Sequence, residues 1–197
     1  MPLNVPNLLT WLRILLIPLF VGVFYFEKSW VSEPNQNLVA TIIFTAAAIT
    51  DWLDGWLARR LNQTSAFGAF LDPVADKLMV AAALIMLVWL GRAESYLAMI
   101  IIGREIAISA LREWMAQLGR SGSVAVAFVG KVKTVAQMTA IVALLLHEPL
   151  IPGVSTPLLG EVALWVAAIL TLWSMVHYLK LAAPHVSSDT TMRDPGE

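Results

Sequence analysis

Asp51-Trp52-Leu53-Asp54-Gly55-Trp56-Leu57-Ala58-Arg59, followed after eight residues by Gly68-Ala69-Phe70-Leu71-Asp72-Pro73-Val74-Ala75-Asp76, is the stretch on which the reading of the fold turns. It sets four carboxylates within 26 positions of a chain whose mean hydropathy is +0.74. An ionised carboxylate in hydrocarbon costs about 3 kcal/mol on insertion scales. The acids must therefore face a polar cavity, and something positive must neutralise them. Asp51 and Asp54 are three apart and share a helix face; Asp72 and Asp76, four apart, do the same on the next helix. The connection between them is short, which makes the helices antiparallel neighbours. Two carboxylate pairs can then converge at one depth.

The composition around this stretch excludes most soluble classes. Of 197 residues, 58% are hydrophobic and only 14% charged, the charges gathering between or near the ends of apolar runs. Eight Trp and eight Met suit interfacial belts and helix packing in lipid. A net charge of −1 gives no basic face for nucleic acid. With no Cys, disulfides and thiolate metal sites are excluded. The first apolar run, Leu8–Phe26, carries Arg13 inside it and has no small-residue cleavage site, so it reads as a retained span and not as a secretory signal.

About 20 apolar residues cross a hydrocarbon core as helix. Six segments qualify, 8–26, 38–57, 72–90, 95–117, 124–146 and 158–181. Helix is the only choice that satisfies every backbone polar group within the segment. The expected fold is an all-α integral membrane bundle of six transmembrane helices over residues 1–183, with a polar, disordered tail over 184–197. Loop breakers fall at Glu33-Pro34-Asn35, Gly91, Gly119 to Gly122 and Pro149 to Pro157, and Pro73 is expected in the first turn of its helix. With the N-terminus in the cytoplasm, only Lys28 and Arg92 fall outside, while Arg13, Arg59, Arg60, Lys77, Arg112, Arg120, Lys131, Lys133, Lys180 and Arg193 fall inside. Both termini are accordingly expected in the cytoplasm, with all four acids at the cytoplasmic ends of the second and third spans.

All-oxygen donors without His or Cys point to hard cations, Mg²⁺ or Mn²⁺. Two such ions would clamp a diphosphate and a leaving phosphate. Gly55 and Gly68, lacking side chains beside the acids, suit close approach by a bulky ligand such as a nucleotide. The arrangement resembles the CDP-alcohol phosphotransferase family, whose pattern is D-x2-D-G-x2-A-R, a spacer, then G-x3-D-x3-D. Asp51, Asp54, Gly55, Ala58, Arg59, Gly68, Asp72 and Asp76 match every defined position. The resemblance implies a six-helix membrane enzyme, a homodimer, that moves a phosphoalcohol group from a CDP-linked donor to an alcohol and releases CMP. It assigns Asp51, Asp54, Asp72 and Asp76 to two metal ions, Asp76 also to the general base, and Gly55, Ala58, Arg59 and Gly68 to the cytidine diphosphate.

Three further stretches look like the bacterial branch of that family that joins CDP-diacylglycerol to sn-glycerol 3-phosphate. They are Asn4 to Arg13, Gly103-Arg104-Glu105 through Arg112-Glu113-Trp114, and Gly130-Lys131-Val132-Lys133-Thr134 with Gln137. The charges agree with an anionic acceptor. Arg104 and Arg112 share a helix running toward the cytoplasm, and Lys131 and Lys133 open the next, a cluster suited to a phosphate. Such an enzyme belongs in the bacterial cytoplasmic (inner) membrane with its site facing the cytoplasm. Asn7 and Thr10, with Arg13, stand either to touch the donor or to cap and anchor the first helix. Glu105 is expected to point away from Arg104 and to orient a base from another helix. Arg104 itself reads as functional or as half of a structural ion pair. Two rival readings stay open: the same chemistry on another acceptor (phosphatidylglycerol, serine or inositol phosphate), and a divalent-cation carrier.

Overall fold

A computed structural model describes residues 5–61, 66–117, 127–149, 153 and 155–190. Among these residues the structure is all helix, with no strand: α1 (Val5–Val23), α2 (Glu33–Leu61), α3 (Ala66–Trp89), α4 (Ser95–Gln117), α5 (Ala127–Leu146) and α6 (Thr156–Thr190). Each of the six expected segments is a helix, and 95–117 coincides with α4.

The differences lie at the ends. α1 stops at Val23, where Phe24 and Tyr25 turn back on the carbonyls of Val21 and Gly22. Glu33, Pro34 and Asn35, expected in a loop, are the first turn of α2, because a proline there forfeits an N–H that has no helical partner anyway. α3 begins at Ala66, so Pro73 sits inside the helix and not in its first turn; it has no N–H to offer the carbonyl four residues back. α6 continues past residue 181 to Thr190, so the first part of the expected tail is helical. Adding residues to an existing helix is far cheaper than nucleating one. Residues 191–197 lie outside the described residues.

α5 and α6 form the most extensive pairing, α1 lies against α2 and α3, α4 bridges α3 and α6, and α5 also meets α2 and α3. The core they enclose runs from Phe20 and Phe44 through Leu84, Leu87, Leu97 and Ile101 to Ile141, Leu145 and Leu164, all buried. Phe20 meets Phe24 edge to face at 5.8 Å and Phe44 at 6.4 Å, tying α1 to α2.

At the far end from the acids, Arg92 is the clamp. Its Nη1 donates to Asn37 Oδ1 at 2.9 Å and to the carbonyls of Leu144 and Leu145 at 3.3 and 3.0 Å, and its Nη2 lies 3.3 Å from Glu33 Oε1. One side chain thus joins the start of α2 to the last turn of α5, whose terminal carbonyls have no helical donors. The hydrogen bond and charge of Lys28, and then Arg92, hold Glu33 below the usual carboxylate range. Arg92 reaches this position because Gly91 reverses the chain at φ 69°. Arg92 N–H bonds back to Leu87 and Gly91 N–H to Val88, a closure that needs a left-handed residue.

α5 and α6 are in close contact at Gly160, where a Cβ would lie 2.7 Å from Leu144 Cγ and 3.1 Å from Leu144 N. Backbone cannot yield as a side-chain tip can, so Gly160→Ala must part the helices. The expected cost is about 1–3 kcal/mol, read as a lowered thermal midpoint in detergent.

Candidate active site

Two polar constellations lie inside this apolar bundle. The first joins α1, α2 and α3. Thr10 and Arg13, one turn apart on α1, share a face. Thr10 Oγ1 donates to Asp72 Oδ1 on α3, and Arg13 Nη1 lies 2.6 Å from Asp51 Oδ1 on α2. The Arg13 side chain is 1% exposed while that of Asp51 is 42% exposed, so the cation is locked in the core and the acid keeps an open edge. Asp76, one turn beyond Asp72, lines a small cavity with Arg13, Phe44, Ala47, Met79 and Met138. It stands within Coulombic range of Asp51, Arg13 and Glu105.

The second constellation joins α4, α5 and α6 in a cleft of about 630 Å³ lined by Arg104, Glu105, Arg112, Lys131, Lys133 and Tyr178, among others. Glu105 holds it together. Its Oε1 takes a hydrogen bond from Lys133 Nζ and lies 3.3 Å from Arg104 Nη1. Arg104 Nη2 donates to Ser174 Oγ on α6 at 2.7 Å. The Tyr178 ring faces both guanidinium groups, 5.9 Å from Arg104 and 5.7 Å from Arg112. Arg112 and Lys131 are exposed and form no ion pair among the described residues. Four cations against one carboxylate leave the cleft an excess of three positive charges. That balance favours an anion with several charges and oxygens to share.

The structure therefore brings Arg104, Arg112, Lys131 and Lys133 into one cleft, as the sequence spacing requires for a phosphate pocket. Glu105 does orient a base from another helix, Lys133, but it also contacts Arg104, from which it was expected to point away. Arg104 is half of an ion pair and a wall of the cleft at once. Thr10 and Arg13 bind the acids themselves, so α1 is fastened to the site. Gly68 is buried. The side chains of Asn7, Asp54, Ala58 and Arg59, and the surroundings of Gly55, lie outside the described residues. Among the described residues no three carboxylates or histidines gather round one point. Asp51 is turned to Arg13 and Asp72 to Thr10.

Sequence reasoning missed three contributors: Arg13 as the counter-charge of Asp51, and Tyr178 and Ser174 as the α6 wall of the basic cleft. Nothing in the sequence marks Tyr178 or Ser174, because each meets α4 only through the tertiary fold. Arg13 carried a signal, a lone charge in an apolar run, but not its partner. His177, read as a core residue, is half-buried and stacks on Trp173 at 6.0 Å.

Residues 3–173 match the family described as CDP-alcohol phosphatidyltransferase, and the chain belongs to that family. It is a transferase. Among its relatives, a CDP-diacylglycerol–glycerol-3-phosphate 3-phosphatidyltransferase of Pseudomonas fluorescens is 50% identical over 195 residues, covering 95% of this chain and 94% of the relative. Proteins of the same name from Salmonella typhimurium and Shigella flexneri are 50% and 49% identical over 188 residues, covering 92% of this chain and 96% of each relative.

Among the described residues, Glu105 is the carboxylate that faces two buried cations, Arg104 and Lys133. Breaking a buried pair by removing one partner leaves an uncompensated charge. Glu105→Ala is expected to cost about 3 kcal/mol, seen as a fall in the thermal midpoint, with Glu105→Gln recovering part of the loss. An unchanged midpoint would show that the cluster is not held by this charge.

Proposed function

We propose that this protein transfers the phosphatidyl group of CDP-diacylglycerol to sn-glycerol 3-phosphate, giving phosphatidylglycerophosphate and CMP. The observation that carries the reading is the cleft in which Arg104, Arg112, Lys131 and Lys133 converge, whose Glu105 lies within Coulombic reach of Asp76. An acceptor bearing a phosphate needs such a cleft; a neutral or zwitterionic alcohol does not. The names of relatives about 50% identical over most of the chain support the same acceptor.

The donor set fits divalent cations: carboxylate oxygens only, on the neighbouring helices α2 and α3, one of them with an open edge. Asp51, Asp54, Asp72 and Asp76 would hold two Mg²⁺ or Mn²⁺ ions, which when bound neutralise the diphosphate and the leaving CMP. Arg13 holds Asp51 and Thr10 holds Asp72, so the ligands are oriented before any ion arrives. Gly55, Ala58, Arg59 and Gly68, with Asn7, would line the cytidine diphosphate, while Thr10 serves it through Asp72. The basic cleft takes the acceptor phosphate. Asp76, between Arg13 and the cleft, takes the proton of the attacking hydroxyl.

The same reading sets the bundle in the bacterial cytoplasmic membrane as six spans, with both termini and the site on the cytoplasmic side, and as a homodimer. Large apolar side chains stand exposed on every helix, Leu15, Ile42, Ile85, Met99, Val135 and Ile169 among them, which a chain surrounded by water would not sustain. By length and hydropathy, Thr156–Lys180 is the stretch among the described residues that qualifies as a span by itself, and Leu8–Val23 is a shorter apolar helix. α2, α3 and α4 carry charges of the two constellations within their lengths, which lowers their apolarity where function requires it.

The deciding experiment is CMP release by purified protein with CDP-diacylglycerol and Mg²⁺, with and without glycerol 3-phosphate. Release that depends on glycerol 3-phosphate supports the reading, and release only with another alcohol overturns the acceptor. Chelation with EDTA should abolish turnover and added Mg²⁺ or Mn²⁺ restore it. Asp76→Asn should lower kcat by about 10²–10⁴-fold, as loss of a general base does, with the fold retained. Arg112→Ala should mainly raise the KM for glycerol 3-phosphate, because it touches the phosphate and not the reacting oxygen. An unchanged KM would move the phosphate elsewhere.

A further inference from the structure

Gln137 on α5 is 5% exposed, and its Oε1 has no hydrogen-bond partner among the described residues. Nearly all buried polar groups in folded proteins are paired, so a lone buried acceptor calls for a ligand or a loss of stability. Its position says which ligand. Lys133, four residues back on the same face, lines the basic cleft. Met138, the next residue, lines the cavity of Asp76 and Arg13. Gln137 therefore stands about 6 Å further along the helix than Lys133, on the same face, and one residue before the Met138 that lines the Asp76 cavity. A second lone polar atom, Thr171 Oγ1, belongs to α6, the helix packed most extensively against α5.

Glycerol 3-phosphate has the same order of groups. Its phosphate lies at one end, its reacting primary hydroxyl at the other, and a secondary hydroxyl between them. An amide oxygen only accepts, and the secondary hydroxyl has a proton to donate. We infer that Gln137 is a specificity-determining residue that accepts a hydrogen bond from the secondary hydroxyl of the acceptor. The inference rests on the acceptor proposed above. It adds a reason for choosing a glycerol phosphate over a shorter-functionalised alcohol phosphate: an acceptor lacking that hydroxyl leaves the amide unpaired in the closed complex.

The test compares kcat/KM for glycerol 3-phosphate and for 3-hydroxypropyl phosphate, which differs only in lacking the secondary hydroxyl. The wild-type enzyme should prefer glycerol 3-phosphate by on the order of tenfold, the worth of one neutral hydrogen bond in a buried site. In Gln137→Met, an apolar replacement of similar shape, the preference should fall to about twofold or less through loss on glycerol 3-phosphate alone, 3-hydroxypropyl phosphate being used as before. A structural role for the amide would not produce that split. The thermal midpoint without substrate should hold or rise, since the substitution removes a lone buried acceptor. A preference equal to wild type in the variant overturns the inference, and so does a midpoint lowered by several degrees, which would make the amide part of the internal packing. Should the Met variant not fold, Gln137→Asn carries the same comparison, withdrawing the amide by one methylene. If the wild type turns over neither acceptor, the proposed function falls and the inference with it. If it turns over both equally, the inference alone falls.

Discussion

An apolar helix bundle that must hold a charged reaction has to give every buried charge a partner, and that requirement shapes the whole site. Arg13, almost wholly enclosed, has its charge met by Asp51, 2.6 Å away. Glu105 plays the reciprocal part, one acid between two buried cations on different helices. Arg13–Asp51 and Lys133–Glu105 cross between helices, so there neutralising the charge and docking the helices are one act. Where hydrophobic contact with neighbours and with surroundings is equally apolar, such polar clamps supply orientation that apolar packing by itself does not.

The two constellations divide the work by sign. The carboxylates of α2 and α3 suit cations, and the basic α4–α5–α6 cleft suits an anion. Asp76 stands within Coulombic range of both, of Asp51 and Arg13 in the first and of Glu105 in the second. Arg92 closes the opposite end of the bundle by capping α5 and bonding to α2, so polar clamps hold the helices at both ends.

The candidate site was legible in unequal measure. Asp51, Asp54, Asp72 and Asp76 announce themselves, because spaced acids in so apolar a chain have no inexpensive alternative explanation. Arg104, Arg112, Lys131 and Lys133 could be grouped by helix and by sign, and the cleft contains all of them. The helix ends were harder to read. Pro34 and Pro73 were taken as boundary marks, yet one begins α2 and the other lies inside α3, since a proline costs little at a first turn and a single lost backbone bond is bearable within a packed helix.

Sequence by itself determined the helical class, the number of helices and the identity of the acids and bases, because hydropathy and helical spacing are local properties of the chain. Only the tertiary structure decided the pairings: Arg13 with Asp51, Thr10 with Asp72, Glu105 with Lys133, Tyr178 beneath two arginines, and Gln137 Oε1 left without a partner among the described residues. Those depend on which face each helix turns to which neighbour. Nothing in a stretch of sequence encodes that alone, since it follows from how all six helices pack at once.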